Sequence, residues 1–303
     1  MGIEAIRLQR ARVALDGLSV GDALGAFLEL RHWTDADMPE MLRTRTVPDG
    51  KWRFTDDTNM ALSIFATLRR LKTIDQDALA IHFARHFDLE RGYGAGATEL
   101  LSRIRAGEHW KNVAPNIFRG GSYGNGGAMR VAPLGAYFAD DMKALVKNAR
   151  LSSAITHAHP EGIAGTIAIA VATAVAWRYV GERTPKRSAF IDRILPQVPD
   201  SAVKAGIEKA RDLPSLPITE VADILGNGSE VSAQDTVPFA IYCAGEYLGD
   251  YEEAIWQTMA GGGDVDTTCA MVGGIVVTYV GHKYIPEAWL DAREALPEWA
   301  FSH

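Results

Sequence analysis

The sequence is poor in cysteine and has no excess of basic residues. Cys243 and Cys269 are the only two cysteines among 303 residues, and no Cys-x-x-Cys pair is present. We therefore expect no disulfide framework, two thiols in the core, and a reducing cytoplasmic location. Lys and Arg total 31 against 38 Asp and Glu, a net charge of −7. This acidic balance favours neither nucleic acid nor an anionic membrane as a partner, and it leaves the oligomeric state open.

The sequence also lacks an apolar run long enough to predict a membrane span. Its most apolar uncharged run covers residues 162–177, sixteen residues, whereas a span needs roughly 18. The first fifteen residues mix Glu4, Arg7, Arg10 and Arg12 with apolar residues, which does not fit a secretion signal. We interpret the apolar run as a helix at the centre of a soluble core.

Strict alternation of apolar and polar residues, the mark of a strand, is almost absent, whereas helical spacing recurs along the chain. Met60, Ile64, Leu68 and Leu71 fall on one helix face. Further helices are predicted near 3–18, 78–87, 97–104, 141–155, 161–180, 187–195, 201–211, 234–248, 250–260 and 267–280. The β-branched run 274–280 also fits a strand, and the breaker-rich segments 31–54 and 107–128 are predicted as loops. Without linkers or repeats, we predict one compact all-α domain over residues 1–303.

Two acidic clusters each precede an apolar helix. One is Thr55-Asp56-Asp57-Thr58, and the other is Asp264-Val-Asp266-Thr267 after three glycines. Helix capping explains carboxylates at such positions, but it does not account for every oxygen of the second cluster. If the two helix starts face each other, their carboxylates repel unless cations are bound. An all-oxygen ligand set favours Mg²⁺ or Mn²⁺ over Zn²⁺, so the two clusters together predict a metal site.

The third feature is a glycine-rich segment at residues 120–127, with Tyr123 and Asn125 among its glycines. Such a segment can line a phosphate site with backbone N–H groups, and Tyr123 offers an aromatic face to a base or ribose. A plain loop is the simpler interpretation. Gly120-x-Ser122-x-Gly124 also matches a nucleophile elbow, but that motif needs a preceding buried strand, which residues 112–119 do not predict.

Three glycines at positions 17, 21 and 25 share one predicted helix face and permit close helix packing. Asp22, beside them, is either a buried hydrogen-bond hub or a residue near the site. Glu29 lies just past this segment; it can reach a metal site from a loop, although a surface position is the simpler interpretation. His157, just before the central apolar helix, is either a structural histidine or a ligand contact.

These segments together resemble the ADP-ribosylglycohydrolase family. The resemblance extends from about residue 11 to residue 279. It rests on five motifs in order: 21–25 with Glu29, 55–58, 121–130, 156–159 and 263–267. It implies an all-α orthogonal helical fold around a dinuclear centre of two Mg²⁺ or Mn²⁺ ions. The ligands implied are Thr55, Asp56, Asp57, Asp264, Asp266 and Thr267.

The resemblance also implies a substrate site for ADP-ribose. Its implied contacts are Asp56, Gly121, Ser122, Tyr123, Gly124, Asn125, Gly126 and His157. The full run from Gly121 to Arg130 is most similar to the serine-directed, poly-ADP-ribose-degrading branch of the family. Glu29 matches a loop glutamate that contacts the metals in some members.

The reaction implied is hydrolysis of the glycosidic bond between ADP-ribose and an acceptor: a protein side chain, O-acetyl-ADP-ribose or poly-ADP-ribose. An acidified water would attack the anomeric carbon, and either Glu29 or Asp57 would act in catalysis by handling the proton. Three alternatives remain: an arginine-specific hydrolase, a non-catalytic ADP-ribose binder or structural protein on the same fold, and a metal-dependent hydrolase of another phosphate or nucleotide substrate.

Overall fold

A computed structural model describes residues 2–28, 33–34 and 36–302. In this part of the chain the regular structure is helical and no strand is formed, which confirms the all-α fold class. Six short 3-10 helices accompany sixteen α-helices. The α-helices are α1 Ile3–Gly25, α2 Glu40–Thr44, α3 Asp56–Leu71, α4 Gln76–His86, α5 Ala95–Arg105, α6 Trp110–Ile117, α7 Ala132–Tyr137, α8 Met142–Ala154, α9 Pro160–Arg178, α10 Arg187–Ile194, α11 Ala202–Asp212, α12 Ile218–Leu225, α13 Ala233–Glu246, α14 Tyr251–Ala260, α15 Val265–Val280 and α16 Glu287–Ala292.

The long helices lie where the apolar periodicity predicts them, and residues 274–280 continue α15 as helix rather than strand. The prediction of loops at 31–54 and 107–128 is wrong in part, because α2 and α6 form inside these segments. Helix α6 tolerates Pro115 because it is only eight residues long and is anchored by tertiary contacts. Its buried Trp110 donates Nε1–H to Asp77 Oδ1 at 2.7 Å. Packing of this kind outweighs the low local helix propensity of a proline.

The core is organised around the antiparallel pair α1 and α15. A Cβ at Gly21 would lie 2.2 Å from the carbonyl oxygen of Cys269, and one at Gly25 would lie 2.6 Å from that of Val265. At Gly17 a Cβ would meet the next part of α15 in the same way. The predicted glycine face therefore exists and permits backbone-to-backbone packing. This packing places the start of α15 against the end of α1.

Helix α9 is the only helix of the described residues that is long and apolar enough to cross a membrane, and 78% of that window is buried within the fold. The expectation of a buried core helix is confirmed. Both cysteines are also free and buried, as predicted. Burial raises the pKa of the Cys243 thiol to about 12, so this thiol is kept in its unreactive protonated form.

Candidate active site

The start of α3 is fixed to α1 through Asp22. This buried carboxylate accepts hydrogen bonds from the backbone N–H and the hydroxyl of both Thr55 and Thr58, and the Thr55 hydroxyl lies 2.8 Å from Oδ1. Thr55 is also the N-cap of α3, where its Oγ1 accepts from the backbone N–H of Asp57. Asp22 is therefore a hydrogen-bond hub next to the acidic cluster, so both alternatives for this residue hold together.

The start of α15 is formed by a left-handed turn. Gly262 and Gly263 have φ values of 66° and 78°, and a Cβ at Gly263 would lie 2.3 Å from the carbonyl oxygen of Asn227. Asp264 occupies the N-cap position, yet its side chain makes no capping hydrogen bond. Its Oδ2 instead accepts from Nδ2 of Asn125 at 2.7 Å. Capping therefore does not explain this carboxylate.

The two helix starts meet in one cleft of about 420 Å³. Asp56, Asp57, Asp264, Asp266 and Thr267 line it, so the predicted meeting of the acidic clusters occurs. Thr55 lies behind this surface and donates its hydroxyl to Asp22 and to Asp57 Oδ2.

Burial and mutual repulsion dominate the electrostatics of this acidic cluster. Burial raises the pKa of Asp56 to about 8, and the neighbouring charge of Asp22 adds to the effect. Burial, followed by the charges of neighbouring carboxylates, also raises the pKa of Asp57 and Asp266 well above the usual range. Such shifts mean that the cluster holds protons at neutral pH when no cation balances its charge.

The donor set fits a hard divalent cation. Oδ1 of Asp57 is buried and has no hydrogen-bond partner, and the nearby carboxylate and hydroxyl groups are all oxygen donors. Within the described ranges, no three acidic, histidine or cysteine side chains are already arranged as a closed metal site. Asp264 instead accepts a hydrogen bond from Asn125, and Thr55 donates one to Asp22. The ligand set therefore stays a prediction.

The glycine-rich segment 120–127 forms one wall of the cleft. Gly120 and Gly121 have φ values of 85° and 89°. The segment packs tightly on the residues before α9, because a Cβ at Gly126 would lie 2.7 Å from Cε1 of His157. Close packing therefore explains glycine at this position without a ligand. The segment follows α6 rather than a strand, so the structure gives no support to a nucleophile elbow at Ser122.

Most of the predicted substrate contacts lie on the cleft surface. Those that line it are Asp56, Ser122, Tyr123, Gly124, Asn125, Gly126 and His157. Gly121 is an exception: a Cβ there would point at the backbone of His159, 2.8 Å away, rather than into the cleft. Glu29 lies outside the described residues. The roles of all these residues stay predictions.

The cleft also contains residues that the sequence analysis did not single out. One group is Gly92 with residues 94–97 at the start of α5, and the glycine-rich run 91–97 is a signal that points to it. Phe118, at the rim, is 50% exposed, and Tyr123 is 51% exposed. Val231 also lines the cleft with a left-handed φ of 51°. Nothing in the local sequence pattern marks Val231.

The ADP-ribosylglycohydrolase family model matches residues 4–301. The chain is 29% identical to the human ADP-ribosylhydrolase ARH3, over 96% of this chain and 91% of that protein. It is 26% identical to the ADP-ribosylarginine hydrolase Tri1 of Serratia proteamaculans, over 95% of this chain and 76% of that protein.

A solved structure, titled "ADP-ribosylglycohydrolase-related protein complex", superposes with a TM-score of 0.61 at 25% identity. The match covers 96% of this chain and 94% of that one. The family resemblance of the five motifs is thus confirmed by sequence and by fold. The chain belongs to the ADP-ribosylglycohydrolase family and is a glycosidase that acts on ADP-ribosyl linkages.

Proposed function

We propose that this protein is a divalent-cation-dependent hydrolase of the bond between the distal ribose of ADP-ribose and an acceptor. One observation carries the proposal: a single cleft joins a floor of buried carboxylates to a rim of exposed aromatic rings. Each end suits a different end of ADP-ribose. Its volume of about 420 Å³ lies in the range of small-molecule sites.

The aromatic rim suits the adenine base. Phe118 and Tyr123 each expose half of their surface while lining the cleft, and stacking on aromatic rings is a general way to hold a base. Gly124, Asn125 and His157 also line the cleft and offer polar groups without a carboxylate. We assign the pyrophosphate to these residues, because negative phosphates would be repelled by the acidic floor.

The acidic floor suits one or two cations and the distal ribose. Two Mg²⁺ or Mn²⁺ ions are proposed, with the ligands Thr55, Asp56, Asp57, Asp264, Asp266 and Thr267. When bound, such ions neutralise the carboxylates and make water more acidic. The ribose hydroxyls would then lie over the floor, where Asp56 also contacts the sugar.

The carboxylates of the chain supply the acid–base chemistry. Cleavage at an anomeric carbon develops positive charge on the sugar, which nearby carboxylates stabilise. Oδ1 of the buried Asp57 has no hydrogen-bond partner, so once cations balance the charge of the cluster and this carboxylate is ionised, it can accept a proton from the attacking water. Glu29 is the second candidate for this proton.

For the acceptor we propose serine-linked or polymeric ADP-ribose. The run from Gly121 to Arg130 supports this choice, because it is most similar to that branch of the family. The similarity to human ADP-ribosylhydrolase ARH3 supports hydrolysis of ADP-ribose without naming an acceptor, and the similarity to the ADP-ribosylarginine hydrolase Tri1 keeps arginine-linked ADP-ribose as the alternative. We further propose a cytoplasmic location, from the low cysteine content.

The decisive experiment measures ADP-ribose released from serine-linked, arginine-linked, O-acetyl-linked and polymeric substrates side by side. Each is assayed with Mg²⁺, with Mn²⁺ and with EDTA. We expect release from the serine-linked or polymeric substrate that EDTA abolishes. Release from the arginine-linked substrate alone would contradict the proposed acceptor. ADP-ribose binding by calorimetry without release from any substrate would identify a non-catalytic binder.

A further inference from the structure

A buried arginine stands behind the wall of the cleft. Arg130 is fully buried, and its guanidinium lies 4.6 Å from the ring centre of Phe83. One of its terminal nitrogens donates to Oγ1 of Thr156 at 2.7 Å and to the carbonyl oxygen of Ser152 at 3.3 Å. The cleft does not include Arg130 in its lining, so this side chain does not itself contact a ligand bound there.

The same Thr156 hydroxyl also lies 2.8 Å from Nδ1 of His157. A guanidinium has only donors, so Thr156 Oγ1 must be the acceptor from Arg130. The hydroxyl has one hydrogen of its own, and among the described residues no hydrogen bond other than that to His157 uses it. The oxygen could also accept from a protonated Nδ1, but its own buried hydrogen would then have no partner; donation to Nδ1 satisfies both groups and leaves Nδ1 unprotonated. The proton of a neutral His157 ring then sits on Nε2.

The Nε2 edge of the ring lies against the glycine-rich segment 120–127. A Cβ at Gly124 would lie 3.2 Å from Nε2, and one at Gly126 would lie 2.9 Å from it. A side chain at either position would press on this edge, so glycine at both positions keeps it free of a Cβ. Since His157 lines the cleft, a ligand oxygen there can reach the Nε2–H group.

We propose that Arg130 and Thr156 are positioning residues that hold His157 in the Nε2–H tautomer, so that it donates a hydrogen bond to an anionic oxygen of the bound ADP-ribosyl group. The inference rests on the proposed function for the identity of the ligand. It assigns a role to two residues outside the cleft lining, and it makes the ring a fixed donor rather than an acceptor that would repel a phosphate.

The electrostatics agree with this role. Burial, followed by the positive charge of Arg130, lowers the pKa of His157 to about 3, so the ring is neutral across the working range of pH. An imidazolium would donate from both nitrogens whatever its neighbours. A neutral ring donates from one nitrogen only, so the choice of tautomer decides whether the cleft gains a donor.

The tautomer is read directly by ¹⁵N-detected NMR of the ligand-free protein labelled at histidine. The ring of His157 is assigned as the signals lost in His157→Gln. We expect a protonated Nε2 and an unprotonated Nδ1. The opposite pattern would overturn the proposal. Because no ligand is present, this result does not depend on whether ADP-ribose is the substrate.

The functional consequence is tested with Thr156→Val, which keeps the shape and removes the hydroxyl. Loss of a well-placed hydrogen bond to a charged group corresponds to about tenfold or more in affinity. We expect Thr156→Val to weaken ADP-ribose binding by about this factor and to mix the His157 tautomers. Thr156→Ser restores the hydroxyl and should restore both. The matched control is Thr173→Val, since the Thr173 hydroxyl is also buried but bonds only to the carbonyl oxygen of Ile169.

Two outcomes would contradict the proposal. One is unchanged ADP-ribose affinity in a folded Thr156→Val protein whose His157 tautomers are mixed. The other is weakened binding in Thr156→Val that Thr156→Ser fails to restore. If the wild-type protein itself does not bind ADP-ribose, the proposed function fails. The tautomer measurement then still decides whether Arg130 and Thr156 hold the proton of the His157 ring on Nε2.

Discussion

Asn125 donates its side-chain N–H to Oδ2 of Asp264 at 2.7 Å, across 139 residues of sequence. The same amide nitrogen lies 3.1 Å from the Thr236 hydroxyl on α13. Asn125 belongs to the glycine-rich wall of the cleft, and Asp264 belongs to its acidic floor. The side chain of Asn125 thus connects the glycine-rich wall, to which we assign the phosphates, with the acidic floor, to which we assign the cations.

Asp266→Asn should abolish turnover and leave the fold intact. Asp266 is buried in the first turn of α15 beside Asp57 and Asp264, and the substitution removes one formal charge from the proposed ligand set without changing its size. Metal affinity by isothermal titration and ADP-ribose release are the measurements. Asp250→Asn is the matched control, because Asp250 caps α14 outside the cleft and asparagine caps equally well. Unchanged metal affinity and activity in Asp266→Asn would remove this residue from the site.

Divalent cations should raise the melting temperature, and more so at pH 8 than at pH 5.5. The pKa of Asp56 in the folded state, about 8, lies above its unfolded value of 3.8. Its protonation therefore favours the metal-free fold below about pH 4, and that contribution is lost as pH rises towards 8. Cations compete with these protons, so they bind better at the higher pH. At 100 times the dissociation constant they add about 2.7 kcal/mol.

The measurement is a set of thermal melts in EDTA, Mg²⁺ and Mn²⁺ at both pH values. In EDTA, Asp56→Asn should show a smaller loss of stability from pH 5.5 to pH 8 than the wild type does. Melting temperatures that are the same with and without cations at pH 8 would argue against a clustered carboxylate site.

Gly126→Ala should weaken ADP-ribose binding and destabilise the fold. The new Cβ would lie 2.7 Å from Cε1 of His157, so the ring must shift, and overpacking of this kind costs about 1–3 kcal/mol. Calorimetry and chemical denaturation provide the two readouts. Gly94→Ala is the matched control for stability, since Gly94 also lines the cleft but has no atom within 4 Å of a new Cβ. Equal stability of the two variants would contradict the packing argument.

Glu29→Gln should lower kcat by about 10²-fold, the usual scale for a general acid or base. ADP-ribose affinity should change far less, because the pyrophosphate is assigned to the glycine-rich wall. Rates are measured at saturating substrate and metal, with Glu40→Gln as a control at an exposed helix start. A surface glutamate would change stability by within about 0.5 kcal/mol and would not affect catalysis. A kcat near that of the wild type would leave Asp57 as the group that handles the proton.

The sequence by itself determined the fold class and the chemistry of the floor. Apolar periodicity is a local signal, so the long helices were predictable, as was the buried helix α9. The acidic clusters at residues 55–58 and 264–267 could be identified as a candidate metal site, because neighbouring carboxylates repel each other unless a cation is bound. The glycines of α1 could be predicted to form a packing face, because their spacing follows the helical repeat.

Only the tertiary structure decided which of these segments meet. The approach of α1 to α15 brings the acidic clusters together, and Asp22 fixes Thr55 and Thr58 from another helix. Helix α6 has helical spacing at Trp110, Val113 and Ile117, but Pro115 interrupts that signal. Nothing in the local sequence marks Val231, which lines the cleft with a left-handed φ. The tautomer argument for His157 likewise needs Arg130 at hydrogen-bond distance from Thr156. Contacts between residues far apart depend on how whole helices pack, which local periodicity does not encode.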